Sequence, residues 1–210
     1  MIRILVADDH AIVRRGLKQI VMEEPDLEVA GEAQNSQEVL DLIRRQAWDV
    51  LVLDINMPGR GGIETLREIR RDHPGLPVLI LSVAPENQYA VRAIRAGAAG
   101  YLSKDSIPEE LVKAIRKVLR GGKYISDAVA EQLALAIDRE SDRAPHELLS
   151  DREYQVLCLI ASGKTISEIA RELSLSVKTA STYRTRILDK MQMKTSAELT
   201  HYAIRNGLTG

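Results

Sequence analysis

Between residues 1 and 120, short runs of apolar, often β-branched residues alternate with amphipathic stretches of helical period. No other property of the chain restricts its fold as much. The runs at 2–7, 27–33, 50–54, 77–82 and 99–103 have strand length, and the stretches at 11–23, 36–46, 61–72, 85–96 and 107–120 have helix length. Strands alternating with helices build βαβ units around a parallel sheet. The pattern therefore predicts an α/β domain with a doubly wound, five-stranded parallel sheet in the order 2-1-3-4-5. Ser36 is expected to cap the second helix, and Asn56-Met57-Pro58-Gly59 to turn the chain after the third strand.

The ends of four runs carry the chemistry. Ile2–Ala7 runs into Asp8-Asp9, Val50–Leu53 into Asp54, Val78–Leu81 into Ser82, and Gly100–Ser103 into Lys104. Ligands of an open parallel sheet sit at the carboxyl ends of its strands, so the topology gathers all four endings at one edge. Any one of them alone is ordinary turn punctuation, because Asp and Ser are common in turns. Together, three carboxylates, a hydroxyl and an ammonium make a divalent-cation and phosphoryl pocket. Clustered carboxylates need a cation, and a few protein oxygens suit Mg²⁺. Asp8 and Asp9, being adjacent, suit holding the ion. Asp54 is assigned as the nucleophile that becomes an acyl phosphate, because the loop after it is expected to leave it open to solvent. Lys104 offers a point charge to a phosphate oxygen and Ser82 a neutral hydrogen bond. His10 reads as a polar residue opening the first helix, with a phosphoryl relay or metal ligand as the alternative. The pocket also admits a metal-dependent phosphotransferase carrying a helical appendage, but no separate general acid or substrate loop stands out.

The rest of the chain differs in kind. Residues 127–137 form one more amphipathic stretch, and the charged segment 138–146, ending near Pro145, reads as a linker. Beyond it the pattern is all helical, at 151–162, 166–173, 177–191 and 196–206. Ser150-x-x-Glu153, Thr165-x-x-Glu168 and Thr195-x-x-Glu198 match the capping box, and Ser176 is placed to cap the third of these helices. The tight link Ser174-Leu175-Ser176 makes a helix-turn-helix. On its second helix Lys178, Ser181, Thr182 and Thr185 share one stripe, polar and small as close groove approach requires. Arg184 and Arg186 flank the stripe for phosphate contact, while Ala180, Ile187, Leu188 and Met191 belong to the inward side. Residues 1–137 carry 18 Lys and Arg against 20 Asp and Glu, whereas residues 150–210 carry 9 against 6. A mildly basic C-terminal third permits a polyanion partner.

Phe is absent, so the cores must be built from Leu, Ile, Val and Ala. The single cysteine, Cys158, lies in an apolar run and reads as a buried structural thiol. No leader pattern and no membrane-spanning apolar stretch is seen, so a cytoplasmic protein without a membrane partner is expected.

Val6-Ala7-Asp8-Asp9-His10, Leu53-Asp54-Ile55-Asn56-Met57-Pro58-Gly59, Leu81-Ser82 and Gly100-Tyr101-Leu102-Ser103-Lys104-Asp105 resemble the receiver domain of two-component response regulators. The segment from Leu149 to Ala180 resembles the LuxR-type helix-turn-helix of the NarL/FixJ class. The resemblance implies a flavodoxin-like receiver over 1–122, an extra helix and linker over 123–147, and a DNA-binding domain over 148–210. It implies phosphorylation of Asp54 by a sensor histidine kinase. It also implies Mg²⁺ held by Asp8, Asp9, Asp54 and the backbone carbonyl of Asn56, and a switch pair of Ser82 and Tyr101 whose ring moves inward. A homodimer on double-stranded promoter DNA follows, with the last helix often serving dimerisation. Catalysis is limited to Mg²⁺-dependent self-phosphorylation and slow autodephosphorylation. The chain departs from the common receiver pattern at Asp105, where a proline is frequent, and at Val83, which is bulkier than usual.

Overall fold

The computed structural model describes residues 1–57, 61–82, 86–137 and 144–208. The chain divides into two compact units, Met1–Val129 and Ala130–Gly210. Pro58, Gly59, Val83 and the linker residues 138–143 lie outside the described residues.

The first unit alternates β1 (Ile2–Ala7), α1 (Ala11–Met22), β2 (Leu27–Ala33), α2 (Ser36–Arg45), β3 (Val50–Asp54), α3 (Gly62–Asp72), β4 (Val78–Ser82), α4 (Glu86–Arg95), β5 (Gly100–Ser103) and α5 (Ile107–Leu119). The strands pair in parallel in the order β2-β1-β3-β4-β5, the expected topology. Every residue of β3 and β4 is buried, which explains why these runs are continuously apolar: helices cover both faces of a parallel sheet. Ile4, Val6, Val50, Val52, Leu79 and Leu81 pack with Leu17 and Val21 of α1 and with Leu111, Ile115 and Val118 of α5. Alternate residues Leu5, Leu51, Leu53 and Ile80, all fully buried, point to the opposite face. Each such side chain contributes roughly 1.5–3 kcal/mol by leaving water.

Two local features depart from expectation. Asn35, not Ser36, caps α2: its backbone is extended and its Oδ1 accepts the Glu38 N–H at 3.0 Å, while Ser36 is already helical and buried. The chain also returns to the sheet after α5. Tyr124 forms a parallel bridge beside β5, its N–H donating to the Ala99 carbonyl and its own carbonyl accepting the Tyr101 N–H at 2.9 Å. A Cβ on Gly100 would lie 2.7 Å from the Tyr124 carbonyl oxygen, so this approach requires glycine.

In the second unit, a 3₁₀ turn at Pro145–Leu148 precedes α7 (Asp151–Ala161), α8 (Ile166–Glu172), α9 (Val177–Met191) and α10 (Ser196–Arg205). The division between units falls inside α6 (Asp127–Ile137). The end of the expected linker is thus structured, with His146 Nδ1 lying 2.8 Å from the Tyr202 hydroxyl. Tyr154, Val156, Leu157, Ile169, Ala180, Ile187 and Leu199 form the core, with Cys158 buried among them. Complete capping boxes open α7 and α8. At α10, Thr195 accepts the Glu198 N–H as expected, but Glu198 reaches back to the Lys194 N–H, one residue short of a box. Between α8 and α9, Ser174 adopts φ of 53° and Ser176 accepts the Thr179 N–H, so the turn is tight and α9 starts where expected. Among the described residues no helix is long and apolar enough to cross a membrane.

Candidate functional site

Strand register assembles the first site. Ala7 pairs with Leu53, Asp54 with Leu81, and Ser82 with Ser103, so Asp8, Asp54, Ser82 and Lys104 emerge side by side at one edge. Lys104 bridges two of the carboxylates, its Nζ 2.8 Å from Asp54 Oδ2 and 2.6 Å from Asp8 Oδ2. Only the first contact has hydrogen-bond alignment, and Asp8 Oδ2 stays buried without an aligned donor. Asp8 Oδ1 accepts the His10 N–H at 2.8 Å, and Asp54 Oδ1 accepts the Asn56 N–H at 3.1 Å. Asp9 is partly exposed at the mouth.

Asp54 is not open to solvent as expected; it is fully buried. The cause is its place as the last residue of a fully buried strand, under the Lys104 ammonium. Burial pushes the Asp54 carboxyl above the usual range; Lys104 pulls against this, and the Asp8 charge adds to it. For Lys104 burial works downward, but the Asp54 and Asp8 charges outweigh it and hold the ammonium above its ordinary value. Lys104 itself opens a 3₁₀ turn, Lys104–Ser106, which Ser103 caps by accepting the Asp105 N–H. On the far side of Asp54, Gly62 closes the β3–α3 connection by donating its N–H to the Ile55 carbonyl. A Cβ at Gly62 would come within 2.5 Å of the Ile55 backbone.

Ser82 and Tyr101 fall on one face of the sheet by register, and both are buried. The Tyr101 ring is only 1% exposed, so it already occupies the inward position in this structure. Sequence reasoning missed Arg14, which is buried in α1. Its guanidinium donates to the Asp8 carbonyl at 2.8 Å and to Glu32 at 3.1 Å, fixing the turn that carries Asp8-Asp9. An Arg on the inward side of an amphipathic helix was the signal available.

Four donor groups converge here: ligand atoms of Asp8, Asp9, His10 and Asp54 all lie within 4.8 Å of one another. Three carboxylates against one ammonium, with a buried Asp8 oxygen lacking an aligned donor, fit a divalent cation.

A second candidate surface lies on α9. Lys178, Ser181, Thr182, Thr185 and Arg186 are exposed, whereas Ala180, Ile187, Leu188 and Met191 are buried, as the periodicity required. The Thr182 and Thr185 hydroxyls donate to the Lys178 and Ser181 carbonyls. Lys178, Thr179, Thr182, Tyr183 and Arg186 line a shallow depression of about 230 Å³. Arg184 behaves differently from Arg186: it is half-buried and its Nε donates to Ser196 Oγ at 2.7 Å, tying α9 to the start of α10.

Residues 4–116 match the response regulator receiver domain, and residues 147–203 match the luxR family of bacterial regulatory proteins. The chain belongs to the two-component response regulators. This response regulator is 41% identical to the response regulator UvrY of Escherichia coli strain K12, over 99% of this chain and 96% of that protein. It is 39% identical to the response regulator GacA of Pseudomonas viridiflava, over 99% and 98%. Its fold is similar to that of RcsB from Salmonella enterica serovar Typhimurium bound to promoter P1flhDC in the presence of the phosphomimetic BeF₃⁻ (27% identity, 96% and 97% coverage, TM-score 0.61). RcsB has also been solved as two dimers bound to two parallel DNAs (26% identity, 96% of each chain, TM-score 0.60). Response regulators of this kind are signalling proteins rather than metabolic enzymes.

Proposed function

We propose that this response regulator takes a phosphoryl group onto Asp54 from a sensor histidine kinase and that the modification controls its dimerisation and its binding to promoter DNA. The observation that carries the reading is the Asp8–Lys104–Asp54 cluster at the sheet edge, joined in one chain to an exposed polar stripe on α9.

In the reaction an Asp54 carboxylate oxygen attacks phosphorus, the P–N bond to the donor histidine breaks, and the imidazole leaves. Lys104 swings from Asp54 Oδ2 to a phosphoryl oxygen as the carboxylate becomes an acyl phosphate. Ser82 donates its hydroxyl to another oxygen, and Tyr101 on the same face holds the position vacated behind it. Mg²⁺, held by Asp8, Asp9, Asp54 and the Asn56 backbone carbonyl, would neutralise charge on the equatorial oxygens.

For DNA, α9 enters the major groove with Lys178, Ser181, Thr182 and Thr185 toward base edges and Arg186 toward phosphates. Arg184 contributes by orienting α9 against α10, with a phosphate contact left to its terminal nitrogens. A dimer engages two half-sites about one helical turn apart, roughly 34–36 Å. Residues 1–122 act as the receiver, 123–147 as the connection and 148–210 as the reader, in the cytoplasm. The dimers and promoter named for RcsB support this assignment.

The test is intact-mass spectrometry after incubation with Mg²⁺ and acetyl phosphate, followed by footprinting. A single phosphate adduct, lost in Asp54→Asn, is expected, with footprints that strengthen on phosphorylation. No adduct in the wild type, or no sequence-preferring footprint in either state, sinks the proposal.

A further inference from the structure

His10 sits at the N-cap of α1, a position that favours Ser, Thr, Asp and Asn because their side chains bond the first helical N–H groups. It makes no such bond. Its backbone is held extended, with its N–H on Asp8 Oδ1, and its ring turns toward the carboxylates instead. Nδ1 lies 2.7 Å from Asp9 Oδ1 and 3.3 Å from Asp8 Oδ1.

We propose that His10 supplies a nitrogen ligand, through Nδ1, to the divalent cation of this pocket, and thereby biases it toward first-row transition ions over Mg²⁺. The inference rests on the pocket being a cation site. Neighbouring ligands of an octahedral ion with bonds of roughly 2.1 Å stand roughly 3.0 Å apart, and the two His10 distances bracket that edge. The Asp54 oxygen completes a set spanning 4.8 Å, which closes on an ion with small side-chain adjustments. The buried Asp8 Oδ2 without an aligned donor independently marks the site as incomplete. Carboxylates alone favour hard ions such as Mg²⁺ and Mn²⁺, whereas imidazole raises affinity for Co²⁺, Ni²⁺ and Zn²⁺. The competing account is an exposed histidine paired with Asp9 and indifferent to metals.

Pulsed electron paramagnetic resonance of the untagged full chain loaded with Mn²⁺ separates the two. Imidazole nitrogen modulation is expected in the wild type and lost in His10→Ala and His10→Asn. Calorimetric titration should show Co²⁺ affinity falling by at least ~10-fold in both variants, with Mg²⁺ affinity within about 2-fold because its other ligands are oxygens. Bound Mn²⁺ without nitrogen modulation, or equal losses for both ions, overturns the role of His10 while leaving the cation site intact. Failure of the wild type to bind any of these ions overturns the cation site and this inference together. If a variant fails to fold, the wild-type nitrogen signal alone decides.

Discussion

Lys104 is the one ammonium facing two buried carboxylates among the described residues of the pocket, and its removal leaves like charges stacked without water. Breaking a buried pair from one side costs about 3 kcal/mol or more. Lys104→Met should therefore destabilise the first unit by about 3 kcal/mol in chelator, and Mg²⁺ should recover most of the loss; denaturant melts with and without the ion measure this. Asp54→Asn works in the opposite direction. The folded Asp54 carboxyl titrates above its unfolded value because burial disfavours its charge. Its stabilising share is therefore complete at low pH and fades as pH climbs through the raised value. Near neutrality Asp54→Asn should raise the melting temperature by about 4 °C, equivalent to about 1 kcal/mol, and the gain should vanish in acid. A lower melting temperature than the wild type at pH 7 contradicts this.

At the scale of elements, caps and close approaches decide where helices start and how they meet the sheet. Ser150 and Glu153 satisfy each other's N–H groups at the start of α7, and Glu153, which is buried, also receives Lys190 at 2.6 Å. Ser150→Ala should cost the second unit about 1 kcal/mol, read as an earlier urea midpoint with unchanged slope. Gly62→Ala should distort the β3–α3 connection, since its Cβ meets backbone that has no flexible end to yield. Strand order and most helix limits were legible because periodicity and punctuation are local properties. The α2 cap was not, because Asn35 and Ser36 are both good cap residues and the backbone angles choose between them. The burial of Asp54, the Arg14 bond to Asp8 and the Tyr124 bridge were hidden for another reason. Each depends on residues brought together by the finished sheet, with no spacing rule to announce them.

For the whole molecule, the separation of charge sets how it meets DNA. The acidic pocket and the basic reader lie in different units, so the near-neutral total conceals a cationic surface that salt can screen. Lys178→Ala should weaken promoter and non-specific binding alike and reduce the slope of log affinity against log salt by about 1. Thr182→Ala should instead change preference among operator sequences with the slope intact; binding isotherms at several salt concentrations distinguish them. The bridge at Tyr124 bears on how the two halves communicate. The chain leaving the sheet is fastened by paired main-chain bonds to the residues on either side of Gly100, within reach of the Tyr101 backbone. The rope out of the first unit is thus knotted to the strand that carries the ring. A displacement of that strand pulls on the downstream chain directly, and a message can travel along the covalent thread without any surface shared between the halves.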